Sequence, residues 1–411
     1  MLLMLFLIGW VLFGYVLGRQ ITGRHARIRN FHSLPGYYGL YLAIWCALPS
    51  LFLLGLWETV SPFIFKQSPT LSESRIYAFW GLIFSGAAVG LFFGARKLRP
   101  EFRARIYVDH MIQLFFVLIS FLALLTTLGI VFSLVIEAFR FFTLVSPYDF
   151  LFGLYWSPQA AVSEDISGTE IINAQAFGAI PLFSGTFLIT IIAMGVAIPV
   201  GLMAAIYLSE YARKGTRNII KPLLEGLAGI PTVVYGFFAA IMVAPFIRET
   251  GGTLGLHVTS ESALAAGLVM GVMLIPFISS LSDDVIHAVP KNLREGALAL
   301  GSTSSETIRR VVLPTALPGI VGAILLAVSR AIGETMLVVM AVGLTAKLTA
   351  NPLDSVTTVT VQIVNLLTGD QEFDSPQTLA AYALGFILFL LTFTLNIIAL
   401  RVRRRFQGGY G

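Results

Sequence analysis

Apolar residues in this chain gather into nearly unbroken runs of about twenty, set apart by shorter polar stretches. Nine runs cover 1–17, 37–57, 77–95, 111–136, 181–208, 227–247, 263–281, 317–344 and 379–400. A helix needs about 20 mostly apolar residues to cross a hydrocarbon core about 30 Å thick. Each run therefore predicts a membrane-spanning helix, and the fold class is all-α and polytopic. The first run has no basic segment ahead of it and no small-residue cleavage site after it, so it reads as a retained helix and not a secretory signal.

Composition agrees with this picture. The chain is 56% hydrophobic and 12% charged, against roughly a quarter charged in soluble domains. The Lys and Arg residues fix a direction. Loops 18–36, 96–110, 209–226 and 282–316 and the tail 401–411 hold 21 of the 27, and the intervening loops 58–76, 137–180, 248–262 and 345–378 hold five. Basic loops stay in the cytoplasm, which predicts an external N-terminus and a cytoplasmic C-terminus. The net charge of +5 is thus a topology signal, with no basic patch suited to nucleic acid. Cys46 is the only cysteine, which excludes an intrachain disulfide, and its apolar surroundings predict an inert thiol. The five histidines have no metal-ligand spacing, and no phosphate-cradling Gly-x-x-x-x-Gly-Lys-[Ser/Thr] loop or nucleophile–base set occurs. No catalytic residue, metal ligand or cofactor of its own is expected.

Residues 1–100 read as a three-helix extension whose spans carry nothing polar that suggests a site. The basic run Arg96, Lys97, Arg99, Arg103 and Arg105, with Pro100 inside it, marks its end. Residues 101–411 form the second region. Its external loop 137–180 is rich in aromatics, including Tyr148, Phe150, Phe152, Tyr155, Trp156 and Phe177. Such a loop suits either a collar on the outer leaflet or a docking surface. In the fifth span, Ser184, Thr186 and Thr190 are placed to bond back to the helix, to join helices, or to line a path. Gly226, Gly229, Pro231 and Gly236 predict a kinked start to the sixth or a close backbone approach there. The acidic residues Asp354, Asp370, Glu372 and Asp374 in loop 345–378 read as solvated surface.

Two stretches carry more specific information. Cytoplasmic loop 282–316 has regular helix punctuation. Pro290 suits the first position of a short helix, and Leu293, Ala297 and Leu300 fall on one face. Gly301 suits the C′ position, Thr303 with Glu306 forms a capping box, and Pro314 follows a second short helix. The loop predicts two short helices at an elbow, either lying in a groove of another protein or forming an interfacial hairpin without a partner. The eighth span contains Arg330 and Glu334, each costing about 3 kcal/mol near a helix centre. At i and i+4 they share a face of a continuous helix. They predict either a structural ion pair or a cation that meets an anion in transit.

The cytoplasmic insert is similar to the coupling loop of ABC-importer permeases, which runs Glu-Ala-Ala, three residues, Gly, nine residues, Ile-x-Leu-Pro. Here it reads Glu295-Gly-Ala297, Gly301 and Val311-Val-Leu-Pro314, with Gly for the first Ala and Val for Ile. Leu227-Ala-Gly-Ile-Pro-Thr-Val-Val-Tyr-Gly-Phe237, Ala205-Ile-Tyr-Leu-Ser-Glu-Tyr211 and Arg330-Ala-Ile-Gly-Glu-Thr-Met336 narrow the likeness. Together they resemble the permeases of phosphate importers, the PstC-type subunit more than its PstA-type companion, over roughly residues 105–405. The resemblance implies a six-helix core in the inner membrane, preceded here by three additional helices. It implies a second permease subunit, an ATPase homodimer that uses ATP and Mg, a periplasmic phosphate-binding protein and surrounding membrane lipid. It assigns Glu295, Gly296, Ala297, Gly301, Leu313 and Pro314 to ATPase coupling, and Arg330 and Glu334 to the substrate pathway. A companion permease, a permease for another oxyanion, and a non-transporting scaffold or phosphate sensor are the alternatives.

Overall fold

The computed structural model describes residues 2–25, 32–64, 72–99, 101–164, 170–368 and 374–407. Sixteen helices account for nearly all of it: α1 Leu2–His25, α2 Pro35–Ile64, α3 Ser72–Arg96, α4 Ala104–Leu144, α5 Pro147–Phe152, α6 Ile180–Ile206, α7 Lys214–Ala228, α8 Thr232–Phe238, α9 Ala244–Thr253, α10 Ala263–His287, α11 Lys291–Ala299, α12 Ser304–Thr307, α13 Leu313–Ile332, α14 Met336–Ala341, α15 Val359–Leu367 and α16 Pro376–Gln407. A two-stranded antiparallel ribbon joins β1 (Val162–Glu164) to β2 (Glu170–Ile172). Among the described residues, eight helical segments are long and apolar enough to cross a membrane. They overlap the second to ninth predicted spans, the eighth lying at Ser304–Ile332 where 317–344 was expected; the first predicted span falls in α1. The chain divides into units Met1–Leu128 and Gly129–Gly411. Pro100 lies outside the described residues.

In the first unit, α2 packs against both α1 and α3. Ser50 Oγ donates to the Cys46 carbonyl at 2.9 Å and to the Ile83 carbonyl at 3.4 Å, a hydroxyl tie between α2 and α3. Cys46 is buried beside it.

The second unit is built on α6 and α10. Their contact is tight because α10 presents glycine where α6 comes nearest. A Cβ on Gly271 would lie 2.8 Å from the Ala193 carbonyl oxygen and 2.9 Å from Val196 Cβ. Small residues at membrane helix contacts permit this approach, and van der Waals packing then supplies the attraction. The predicted hydroxyls of the fifth span divide between two roles. Ser184, Thr186 and Thr190 bond back to helix carbonyls at 2.8 Å each, and Thr186 Oγ1 also accepts the Val359 amide at 3.1 Å, joining α6 to α15.

Proline explains most of the departures from regular helix. The run 227–247 does not form one helix: Gly229 and Pro231 end α7 and start α8, so the crossing segment begins at Thr232. Five-residue π-turns occupy Ala239–Val243 and Ile308–Val312, each two residues before a proline, Pro245 and Pro314. Proline has no N–H and its ring crowds the carbonyl four residues earlier. The wider π-turn accommodates that within a continuing helix.

The segment between α4 and α6 is folded partly inward. Phe141, Phe150, Trp156 and Phe177 pack into a buried aromatic cluster, whereas Tyr148, Phe152 and Tyr155 remain exposed. Trp156 Nε1 donates to Gln362 Oε1 at 3.1 Å, and Gln362 Nε2 donates to the Leu344 carbonyl at 2.8 Å and to Thr357 Oγ1 at 3.2 Å.

Loop 345–378 also departs from the solvated surface expected of it. Thr357, Thr358, Val359, Thr360, Val361 and Gln362 are buried, and 359–367 are helical. Among the described residues, its margins behave as surface. Lys347 and Thr349 both bond to Asp354 Oδ2 at 2.9 Å and hold that carboxyl below the ordinary range, the Lys347 bond contributing most. Arg140 donates to Asp374 at 2.9 Å. Asp370 and Glu372 lie outside the described residues.

The α6–α10 contact is testable. Gly271→Leu overpacks the contact at a cost of about 1–3 kcal/mol and is expected to lower the thermal midpoint of the detergent-purified chain. Gly195→Leu, where a Cβ meets nothing within 4 Å, is the control and is expected to leave it unchanged. Equal midpoints for the two variants would refute the packing argument.

Candidate functional site

The cytoplasmic insert forms the elbow that its punctuation predicts, with one shift. Helix α11 begins at Lys291, and Pro290 is its N-cap in an extended conformation (φ −55°, ψ 136°), one place before the predicted position. At the other end, Ser302 N–H bonds the Ala297 carbonyl at 3.2 Å and Gly301 N–H bonds the Leu298 carbonyl at 2.9 Å. This pair is a Schellman closure, and it places Gly301 at φ +88°, where a side chain is strained. Thr303 and Glu306 make the reciprocal capping box of α12, with bonds of 3.0 Å and 3.3 Å.

The elbow is anchored at its root and bare at its tip. Leu293 and Leu313 pack against a buried cluster that includes Ile286, Val312 and Ile320. Glu295, Gly296 and Gly301 are exposed and Ala297 is half-buried. Leu300 is 90% exposed, so Leu293, Ala297 and Leu300 do not act as one buried stripe. Leu313 and Pro314 stand at the start of α13, apart from the tip.

Ion pairs reinforce the root, and these were not recognisable in the sequence. Asp283, with a side chain 2% exposed, accepts Arg217 at 2.9 Å and Lys221 at 2.8 Å, and Lys221 also reaches Asp284 at 3.0 Å. The bond to Asp283 chiefly raises the Lys221 pKa above its ordinary value. Arg294 bonds Glu210 at 2.7 Å and the Ile286 carbonyl at 2.6 Å. The i, i+4 spacing of Arg217 and Lys221 marks a basic face of α7 but does not name its acidic partners.

The eighth span is broken where its charges lie. Helix α13 ends at Ile332, Gly333-Glu334-Thr335 is non-helical, and α14 starts at Met336. The expected i, i+4 pairing on a continuous helix therefore does not occur, and among the described residues no ion pair joins Arg330 to Glu334. Arg330 stands in the last turn of α13, where the negative end of the helix dipole favours a cation. Its guanidinium lies 5.6 Å from the ring centroid of Phe277 on α10. Glu334 sits in the break, and its backbone carbonyl accepts Thr360 Oγ1 at 2.9 Å. Gly236 of α8 lets α14 approach, since a Cβ there would lie 2.8 Å from the Leu337 carbonyl. Phe277 lies fourteen residues beyond Ala263 along α10, or roughly 21 Å at 1.5 Å per residue, which puts the Arg330 charge well inside the span. Among the described residues, no three His, Cys, Asp or Glu side chains are grouped to hold a metal ion.

Comparison with known proteins places these features in a family. Residues 197–408 match the family described as binding-protein-dependent transport system inner membrane component, and residues 2–74 match one described as phosphate ATP-binding cassette transporter. A probable ABC transporter permease protein, YqgH, of Bacillus subtilis is 34% identical over 61% of this chain and 75% of its own length. The phosphate transport system permease proteins PstC of Mesorhizobium japonicum and Xylella fastidiosa are 34% and 36% identical over 55% and 54% of this chain, and over 73% and 72% of their own lengths. Among solved structures, the MetNI methionine ABC transporter in inward facing conformations gives a TM-score of 0.40 at 20% identity, over 55% of this chain and 94% of that one. A family match across half the chain, close relatives covered over most of their length and a bundle of membrane helices agree: the chain belongs to the binding-protein-dependent transport system inner membrane component family, as a multi-pass permease component of an ABC transporter rather than an enzyme.

Proposed function

We propose that this chain is the PstC-like permease subunit of an ATP-driven importer that moves inorganic phosphate across the cytoplasmic membrane. The observation that carries the proposal is Arg330, a cation at a helix break inside the bilayer that, among the described residues, forms no ion pair and lies over an aromatic ring. A guanidinium presents N–H donors that match the oxygens of a tetrahedral oxyanion, and broken helices at mid-membrane are where transporters bind their cargo. Glu334 follows within the break. Its negative charge keeps the local field from being wholly positive, so an anion is attracted to Arg330 without being trapped there. The relatives named for phosphate transport support phosphate as the cargo.

Energy enters at the elbow. In this reading an ATPase homodimer binding ATP and Mg docks on Glu295, Gly296, Ala297 and Gly301, with Leu300 seated in an apolar groove of the ATPase. Leu313 and Pro314 carry the motion into α13. A second permease completes the pathway, and a periplasmic phosphate-binding protein delivers the anion from outside. The N-terminus is external and the C-terminus cytoplasmic, and 1–100 is an extension to a permease core in 101–411. Arg330 alone does not distinguish phosphate from other tetrahedral oxyanions, so labelled phosphate uptake competed by molybdate, sulfate or phosphonate decides the cargo.

Arg330→Gln is expected to abolish phosphate uptake while membrane insertion and complex assembly persist; uptake at the wild-type rate would remove Arg330 from the pathway. Leu300→Asp changes an exposed side chain and places a charge in the expected groove. It should leave expression unchanged and reduce the amount of co-purifying ATPase about tenfold, the effect of roughly 1.4 kcal/mol. Undiminished ATPase would move the docking surface elsewhere.

A further inference from the structure

The exposed tip of the elbow is joined to the membrane helices by more than the chain running into α13. Arg294, in the middle of α11, is 21% exposed and Glu210 is 10% exposed, and their ion pair spans 2.7 Å. Glu210 belongs to the π-turn Tyr207–Tyr211 that ends α6. The second arm of the same guanidinium donates to the Ile286 carbonyl at 2.6 Å, in the last turn of α10. One side chain thus fastens the elbow to the cytoplasmic ends of both helices at the centre of this unit. Nearby, Asp283 takes Arg217 and Lys221, so the end of α10 is also clamped to α7 and does not yield alone. Further along α10, the Phe277 ring lies under the Arg330 guanidinium.

We propose that Arg294 and Glu210 are positioning residues of the transport cycle: a strut that carries movement of the elbow into α6 and α10, in parallel with the covalent route through α13. The strut rests on the importer function proposed above. Coupling between distant sites runs through rigid elements and bonded contacts with discrete arrangements, and the route from α11 through Arg294 and α10 to Phe277 and Arg330 consists of such elements. A short, largely buried ion pair suits the task. Removing one partner leaves the other charge buried and uncompensated, so the joint resists slipping under load. Leu293, the apolar anchor beside it, holds the elbow down but has no directional bond.

The test uses the complete complex in liposomes, with labelled inorganic phosphate delivered outside by the binding protein and ATP hydrolysis measured in the same vesicles. Glu210→Gln and Arg294→Gln are expected to retain the ATPase subunits and to hydrolyse ATP, while phosphate accumulated per ATP falls about tenfold. The exchanged pair, Glu210→Arg with Arg294→Glu, is expected to recover most of that ratio. A wild-type ratio in both single variants overturns the strut. Loss of the ATPase subunits from both, with no recovery in the exchanged pair, also overturns it, because the ion pair then serves assembly alone. If the wild-type complex shows neither phosphate uptake nor phosphate-stimulated hydrolysis, the importer reading falls and the strut falls with it.

Discussion

One buried amide holds together the irregular part of the larger unit, the chain between α4 and α6 and the chain that leads into α15. Gln362, 2% exposed, accepts the indole N–H of Trp156 and donates to the Leu344 carbonyl and Thr357 Oγ1. The first bond secures the aromatic lid between α4 and α6. The second secures the strand of chain that leaves α14, and the third stiffens the approach to α15. In a low-dielectric setting an unpaired backbone group costs several kcal/mol, so irregular chain is tolerated at membrane depth only where protein supplies partners. Gln362 supplies one, to the Leu344 carbonyl, Thr186 takes the Val359 amide, and Thr360 takes the Glu334 carbonyl. Three side chains thus make the helix break at 333–335 and the folded-in segment after it admissible. The break, in turn, is what leaves Arg330 separate from Glu334.

The sequence made much of this legible, and the limits were physical. Long apolar runs report burial in lipid whatever the helices do to one another, so the second to ninth spans were located, although the eighth, read as 317–344, lies at Ser304–Ile332. The elbow was readable because Gly301, Thr303 and Glu306 act locally, through a positive φ and a capping box that need no tertiary neighbour. The helix break was hidden. Gly333 is a weak breaker on its own, and what stabilises the interruption is Thr360, a residue far along the chain. Helix α15 was hidden for a related reason. Its Val-Thr alternation is polar enough to resemble a loop, and it is helical because Thr358 caps it and the core around Gln362 buries it. Likewise, the partners of Asp283 and Glu210 lie on other helices, and pairing at that distance leaves no periodic trace.

The cytoplasmic charges carry two duties. Arg217, Lys221 and Arg294 belong to the basic loops from which a cytoplasmic orientation is expected. After folding, the same side chains clamp α7 and α11 to the ends of α6 and α10. Acidic partners at 210, 283 and 284 do not oppose the orientation signal, because Asp and Glu contribute little to it. A helix end that must be polar to remain in the cytoplasm is thereby given a specific neighbour.

The π-turn Ile308–Val312 has a geometric consequence of its own. It holds one residue more than an α-helical turn, immediately between the elbow and α13. Relaxing that turn to ordinary α geometry would displace everything beyond it by one residue: a rotation of about 100° with an axial slip of about 1.5 Å. The wide turn therefore sets the azimuth at which α13 leaves the elbow.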